Sequence, residues 1–436
     1  MAGRRAPALS AALAGLWLTS AAGGGEPVPA VVASTFVSPL DVSHFVRQPL
    51  PEDAVSAALA HGLRFRDRPS FGSGLTWTGG DSFVGVTDRG PNDDHPEAVG
   101  HDEGVLFPLP GFTPSLVRFT WSAGSVMAVS AVVALHTADG RGVSGLPNVA
   151  ADAPGYDRRG APMALARDPG GLDVEGIARL PDGRFLLVDE YAPSLIVVSA
   201  DGEVMKRYVP PSRAAAVAGY PVEGAVPESF ARRRSNRGFE SVAVSADGRQ
   251  AWTLLESPLG ARDDPRFGDS RTIRILEWDV SRSLEARPVA MYLMQLATRA
   301  EIPTAQRQDD IKVSDAVWVA DGRLLISERG PQRARLVLLD LRGATDVLAR
   351  PEAQDLSLDA ADAPLARWGM TLAGRTVVLD SRDVPGVDRE KIEGVALVGP
   401  RDVVIADDND FAMSDNVAGV PAKLWRLRWT APLTAP

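Results

Sequence analysis

The chain has 436 residues, of which 45% are apolar and 23% charged, and a net charge of −10. That is globular composition for one large repeat domain or two smaller ones, and it excludes global disorder. The absence of cysteine excludes disulfides and thiolate sites, five scattered histidines show no zincin-type spacing, and no basic face is present for nucleic acid.

At the N-terminus Arg4 and Arg5 precede an apolar stretch, Leu9 to Ala22, followed by small residues suited to cleavage. Residues 1–23 therefore predict an export signal of the general secretory type. No later segment reaches a membrane-spanning length of apolar residues, so a periplasmic or secreted protein is expected. Residues 24–70 form an N-terminal segment in which Pro51 to Gly62 predicts a helix, and residues 71–432 form the main domain. A second helix is expected at Ala297 to Gln308.

From Ser73 onward one grammar recurs five times: an acidic or small turn, an apolar strand, a tight turn, a second strand and a polar cluster. The segments are Ser73–Asn92, Asp173–Pro193, Asn236–Leu259, Ser314–Pro331 and Lys391–Phe411. Asp-Gly between apolar runs at Asp182, Asp247 and Asp321 marks β-hairpins. A further strand follows most of them, for example Leu195 to Ser199 and Leu424 to Trp429. The repetition predicts an all-β fold, a β-propeller of about six four-stranded blades, with five or seven left open. Met127 to Tyr156 lies in the longest gap and could supply the extra blade. Trp77, Trp252, Trp318 and Trp425 fall on strands and read as core. The long loops Val209 to Arg234 and Leu348 to Ala366 read as lids or specificity elements.

A propeller gathers the residues at the ends of its inner strands around one channel. Asp173, Glu175, Glu240, Asp315 and Glu393 precede inner strands; Asp88, Glu190, Glu256, Glu328 and Asp407 to Asp410 end the paired strands. Acids brought together at low dielectric persist only if protonated, paired with cationic side chains or bound to metal. Oxygen donors in this number favour calcium, with magnesium as the alternative. The candidate metal ligands are Asp88, Asp173, Glu175, Glu190, Glu240, Glu328, Glu393, Asp408 and Asn409. A base accompanies several of them: Arg89, Arg237, Arg329 and Lys391. These couples read either as salt bridges between blades or as a grip on a polyanion.

The motifs SGLTW, TDRGPN, DVEGIARLPDGRF, DEYAP, NRGFESVAVSADG, LLESPL, LLISERG, KIEGVALV and ADDNDF, in that order, resemble the phytase-like family described as having "esterase-like activity of phytase". The resemblance implies a propeller and hydrolysis of phosphate or carboxylic esters, with a longer-range similarity to calcium-dependent phytases. It departs from the family pattern at Phe239–Ala243, where FESVA stands for FEGLA, and at Asp315, which lacks the acid-glycine pair and is a poor ligand candidate. The expectation is a monomeric, exported, calcium-dependent hydrolase of small phosphate esters. Glu175, Glu240 and Glu393 would be catalytic, and Arg89, Arg237, Arg329 and Lys391 would bind substrate. A calcium-dependent carboxylic-ester or lactone hydrolase and a non-catalytic binding propeller are the alternatives.

Overall fold

A computed structural model describes residues 28–37, 42–45, 70–94, 104–150, 152–157, 163–214, 218–387, 391–412 and 421–433. The export signal and the helix expected at Pro51–Gly62 lie outside them.

Five antiparallel sheets form a five-bladed β-propeller. Blade 1 runs from its inner strand Gly74–Gly79 through Ser82–Val86 and Ser115–Thr120 to Ala128–Ala134. Blade 2 comprises Val174–Arg179, Phe185–Asp189, Ser194–Val198 and Val204–Val209, with Val222–Gly224 added in parallel at its outer edge. Blade 3 is Phe239–Val244, Gln250–Leu255, Thr272–Arg282 and Glu285–Gln295, and blade 4 is Lys312–Ala320, Arg323–Gly330, Arg333–Asp340 and Gly374–Asp380. Blade 5 takes Ile392–Gly399, Asp402–Asp407 and Lys423–Arg428 from the C-terminal end, and Ala30–Phe36 from the N-terminal end as its outer strand.

The count is five, within the range left open, rather than the favoured six. The residues of the longest gap build no blade. They supply the outer strand of blade 1 and one strand of a small accessory sheet, Asp93–Asp94, Val105–Leu106 and Gly155–Tyr156. The segment expected as a helix at Ala297–Gln308 is a succession of turns leading to a single 3-10 turn at Gln308–Asp310.

The Asp-Gly hairpins form because glycine accepts the left-handed backbone that the tight turn needs: Gly183, Gly248 and Gly322 have φ of 91°, 69° and 66°. The blades then bury their Val, Leu and Ile faces against one another, and this interblade packing is the core. Trp252 and Trp425 join it; Trp77 is 38% exposed at the rim instead. The loop Leu348–Ala366 is structural, because it delivers Asp359 to Arg274. Both side chains are fully buried and paired, and Arg274 also donates to the Ser229 hydroxyl at 3.0 Å and the Ala353 carbonyl at 2.6 Å.

Near the channel axis the inner strands crowd. A Cβ on Gly176 would lie 3.0 Å from the Glu240 carbonyl oxygen, and one on Gly74 would lie 2.9 Å from the Gly176 Cα. The glycines at 74 and 176 are therefore a steric requirement of ring closure.

Candidate functional site

Each of the three candidate glutamates is the extra residue of a β-bulge. Val174 and Gly176 pair with Asp189 and Val188, leaving Glu175 unmatched. Phe239 and Ser241 pair with Leu255 and Leu254, leaving Glu240. Ile392 and Gly394 pair with Asp407 and Ala406, leaving Glu393. A bulge re-aims its extra side chain. Repeated around the ring, it sends three glutamates into the channel mouth.

There they meet the ends of the second strands in a cavity of about 190 Å³. Its walls carry eight carboxylates, Asp88, Glu175, Glu190, Glu240, Glu256, Glu393, Asp408 and Asp410, and five cations, Arg89, Arg237, Lys312, Arg329 and Lys391. Two subsets have oxygens within 4.8 Å of one another: Asp88 with Asp173 and Glu175, and Glu190 with Glu240 and Glu256.

The cations are not spread evenly. Arg89 donates to Asp173 at 3.0 Å, to Asn92 at 3.1 Å and to Asn236. Arg237 and Lys312 meet Glu256 at 2.9 and 3.1 Å. Arg329 pairs with Glu393 and is fixed by the Ser314 hydroxyl at 2.7 Å. Lys391 pairs with Asp410 and stands 3.5 Å from Glu393 and 3.7 Å from Asp408. Glu190 and Glu240 are only 3% and 4% exposed, and neither carboxylate has a hydrogen bond or ion pair among the described residues.

Ionisation follows this pattern. Burial, reinforced by neighbouring carboxylates, pushes Glu175, Glu190 and Glu240 well above the ordinary range. Burial and then Asp173 carry Asp88 up to about 7 against the opposing pull of Arg89. Asp408 is raised by burial despite Lys391. Glu256 moves the other way, to about 2, because Arg237, Lys312 and Arg329 together outweigh its burial. Burial depresses Lys312, and Arg237 adds to the effect.

Three candidates stand apart from the cavity wall. Asp173 lies behind it, fully buried, holding Arg89 through both its backbone N–H and its guanidinium. Glu328 faces away: its carboxylate accepts the Ala297 N–H at 2.9 Å and pairs with Arg375. Blade 4 thus spends this acid on its own outer strand and on the connection that arrives from blade 3. Asn409 is buried and does not line the cavity. Asp315, the weak candidate, is a staple across the channel. It accepts N–H groups from Ala316 at 2.8 Å and Val395 at 2.7 Å, and burial raises its pKa.

The cavity also contains Lys312, Asn236 and Asn92, which the repeat comparison did not select. Lys312 opens the inner strand of blade 4, and its signal was its place just before the bulge at Ser314–Asp315.

Fold and site together define a five-bladed propeller with a metal-ligand-rich, acid-and-base cavity at the channel mouth. Residues 70–411 match the phytase-like family described as "Esterase-like activity of phytase", and the chain belongs to that family. A relative in Arthroderma benhamiae, an "Uncharacterized secreted protein", is 29% identical over 184 residues, 38% of this chain and 35% of that one. The match thus spans about a third of that relative's length. Among solved structures, a luciferin-regenerating enzyme is similar at 11% identity and a TM-score of 0.34, covering 84% of this chain and 96% of that one. A PQQ-bound aldose sugar dehydrogenase from Streptomyces coelicolor is similar at 12% identity and 0.33, covering 81% and 93%. Likeness at this level carries no argument about chemistry.

Proposed function

We propose that the protein is an exported hydrolase of phosphate monoesters that works with a divalent cation, calcium first. The observation that carries the reading is the pair of buried carboxylates without an ion pair among the described residues, Glu190 and Glu240, in a cavity where Glu256, Glu393, Asp408 and Asp410 face Arg237, Lys312, Arg329 and Lys391. Leaving such groups without a partner costs several kcal/mol in order of magnitude, which a bound cation offsets. The donor set fits a hard ion: two carboxylate triads with close oxygens and, among the described residues, no sulfur or imidazole. The N-terminal apolar stretch and the secreted relative support export.

When bound, the cation supplies positive charge against the ester oxygens and acidifies water. The chain's own residues do the rest. Arg89, Arg237, Arg329, Lys312 and Lys391 orient the phosphoryl oxygens. Glu393, held by Arg329 and beside Lys391, keeps two of these bases in place. A carboxylate of the Glu175, Glu190 and Glu240 group accepts the proton of the attacking water. The water oxygen bonds to phosphorus, the ester P–O bond breaks, and the proton passes to the departing alcohol.

The test is removal of metal. After exhaustive EDTA treatment, turnover of nitrophenyl phosphate and the melting temperature should both fall, and calcium should restore both. If neither changes, the metal reading is lost. If nitrophenyl acetate is cleaved and nitrophenyl phosphate is not, the phosphate reading gives way to a carboxylic-ester hydrolase.

A further inference from the structure

The catalytic cavity is too small for a whole substrate. At about 190 Å³ it admits the ester group, a cation and little else. A second hollow of about 990 Å³ opens beside it, and the two share Arg89, Asn236 and Arg237 as a common wall. That larger volume is in the range of sites that enclose an organic ligand.

The wall is built firmly. Asn236 holds a left-handed backbone, φ 51°, uncommon for a side chain other than glycine. Its N–H donates to Asp152 at 3.3 Å, and Asp152 is gripped by both oxygens in a buried pair with Arg233, at 2.6 and 2.7 Å. From the other side Asn236 accepts from Arg89. The hollow is therefore anchored to the catalytic cavity through half-buried polar contacts of Asn236.

Its chemistry is the reverse of the cavity's. Among the described residues seven arginines and four aspartates line it, in a chain whose net charge is −10. Arg89 and Arg237 are committed to Asp173 and Glu256 of the inner site. Of the aspartates, Asp152 is held by Arg233, Asp264 by Arg266 and Asp263 by Arg307, while Asp309 is shared by Arg234 and Arg262. Arg232 is exposed, and its side chain forms no ion pair among the described residues. Between the arginines stand Val105, Phe107 and Phe267, with the Arg266 guanidinium 4.9 Å from the Phe267 ring centre.

We infer that this cleft seats the alcohol part of the ester, and that this part is a bulky apolar group carrying a second negative charge, met by Arg232 and Arg262. The inference rests on the ester-hydrolase reading of the inner cavity. A compact, wholly polar alcohol would leave the apolar walls unused, and a neutral one would leave Arg232 without a partner.

Three phosphate esters test it: methyl, naphthyl and carboxynaphthyl phosphate. Wild-type kcat/KM should rise in that order. Arg232→Gln should raise KM for the carboxynaphthyl ester by roughly tenfold more than for the naphthyl ester, the effect of one charge-assisted contact. Equal kcat/KM for all three, or an equal shift of both KM values, overturns the inference. If no phosphate ester is cleaved, the phosphate reading fails by itself and binding decides the cleft. Hydroxynaphthoate, followed by its own fluorescence, should bind wild type roughly tenfold more tightly than it binds Arg232→Gln or Arg262→Gln. Equal affinities, or no binding to wild type, overturn it. Both variants sit at exposed positions, and a thermal melt verifies that they fold.

Discussion

The same strands carry acids at both of their ends, and the two ends treat them differently. At the hairpin end, Asp182 and Asp247 sit in tight turns in solvent. Asp182 accepts the Arg184 N–H and pairs with its guanidinium, and Asp247 accepts the Ser245 hydroxyl and the Arg249 N–H. Their local hydrogen bonds hold both carboxyls below the ordinary range. One strand length away, Glu240 and Glu190 are buried, Glu175 is half-buried, and all three are held above it. Both ends carry carboxylates. What differs is that a turn acid finds its donors two residues away, whereas a bulge acid faces chiefly other carboxylates, from its own blade and from its neighbours.

This contrast can be broken in four ways. The largest effect should come from a buried acid that does have its partner. Asp359→Ala strands Arg274 and should cost about 3 kcal/mol or more in chemical denaturation, with kcat spared. A loss below about 1 kcal/mol would mean that burial matters less here than assumed. Next, Glu240→Gln removes a charge that has no partner. Turnover should fall roughly 100-fold while the chelated protein melts about 2 °C higher. A destabilised variant would show that Glu240 is an ordinary structural acid.

Third is pH. The fold raises Asp88 from 3.8 to about 7, so the unfolded chain releases its proton first. The stabilisation is complete below pH 3.8 and is lost as pH rises to about 7, and Glu175, Glu190 and Glu240 act in the same direction. Glu256, lowered to about 2, opposes them only at the acid end. The melting temperature in chelator should therefore fall between pH 5 and pH 8, and calcium should raise it more at pH 8. A flat profile in chelator would place the unpartnered acids elsewhere. The smallest effect is expected from Asp247→Ala, which should melt within about 1 °C of wild type and keep full turnover.

Much of this was legible in the residues. The Asp-Gly hairpins at 182, 247 and 321 announced the inner strand pairs, and the recurrence of Glu175, Glu240 and Glu393 announced a shared mouth. What stayed hidden was register. Blade 4 places its bulge at Ser314–Asp315 opposite Ser327, so Asp315 turns into the channel wall and Lys312 takes the place at the mouth. Glu328 matches its counterparts by position, yet Arg375 from the outer strand of the same blade draws it outward. Neither outcome follows from spacing, because Asp315 depends on an N–H group from across the ring and Glu328 on the outer strand of its own blade. The blade count was hidden for a related reason: long connections lengthen the repeat without adding strands.

The pairing of Ala30–Phe36 with Lys423–Arg428 joins two strands far apart in sequence. The fifth blade cannot be completed until Lys423–Arg428 has been made, however early its outer strand appears. Before Lys391 has been made, four blades surround an unclosed gap, and Lys391 and Glu393 are missing from the mouth. Assembly of the channel-mouth cavity is thereby coupled to synthesis of the fifth blade. A ribosome that stops before Lys391 yields a chain without a finished cavity.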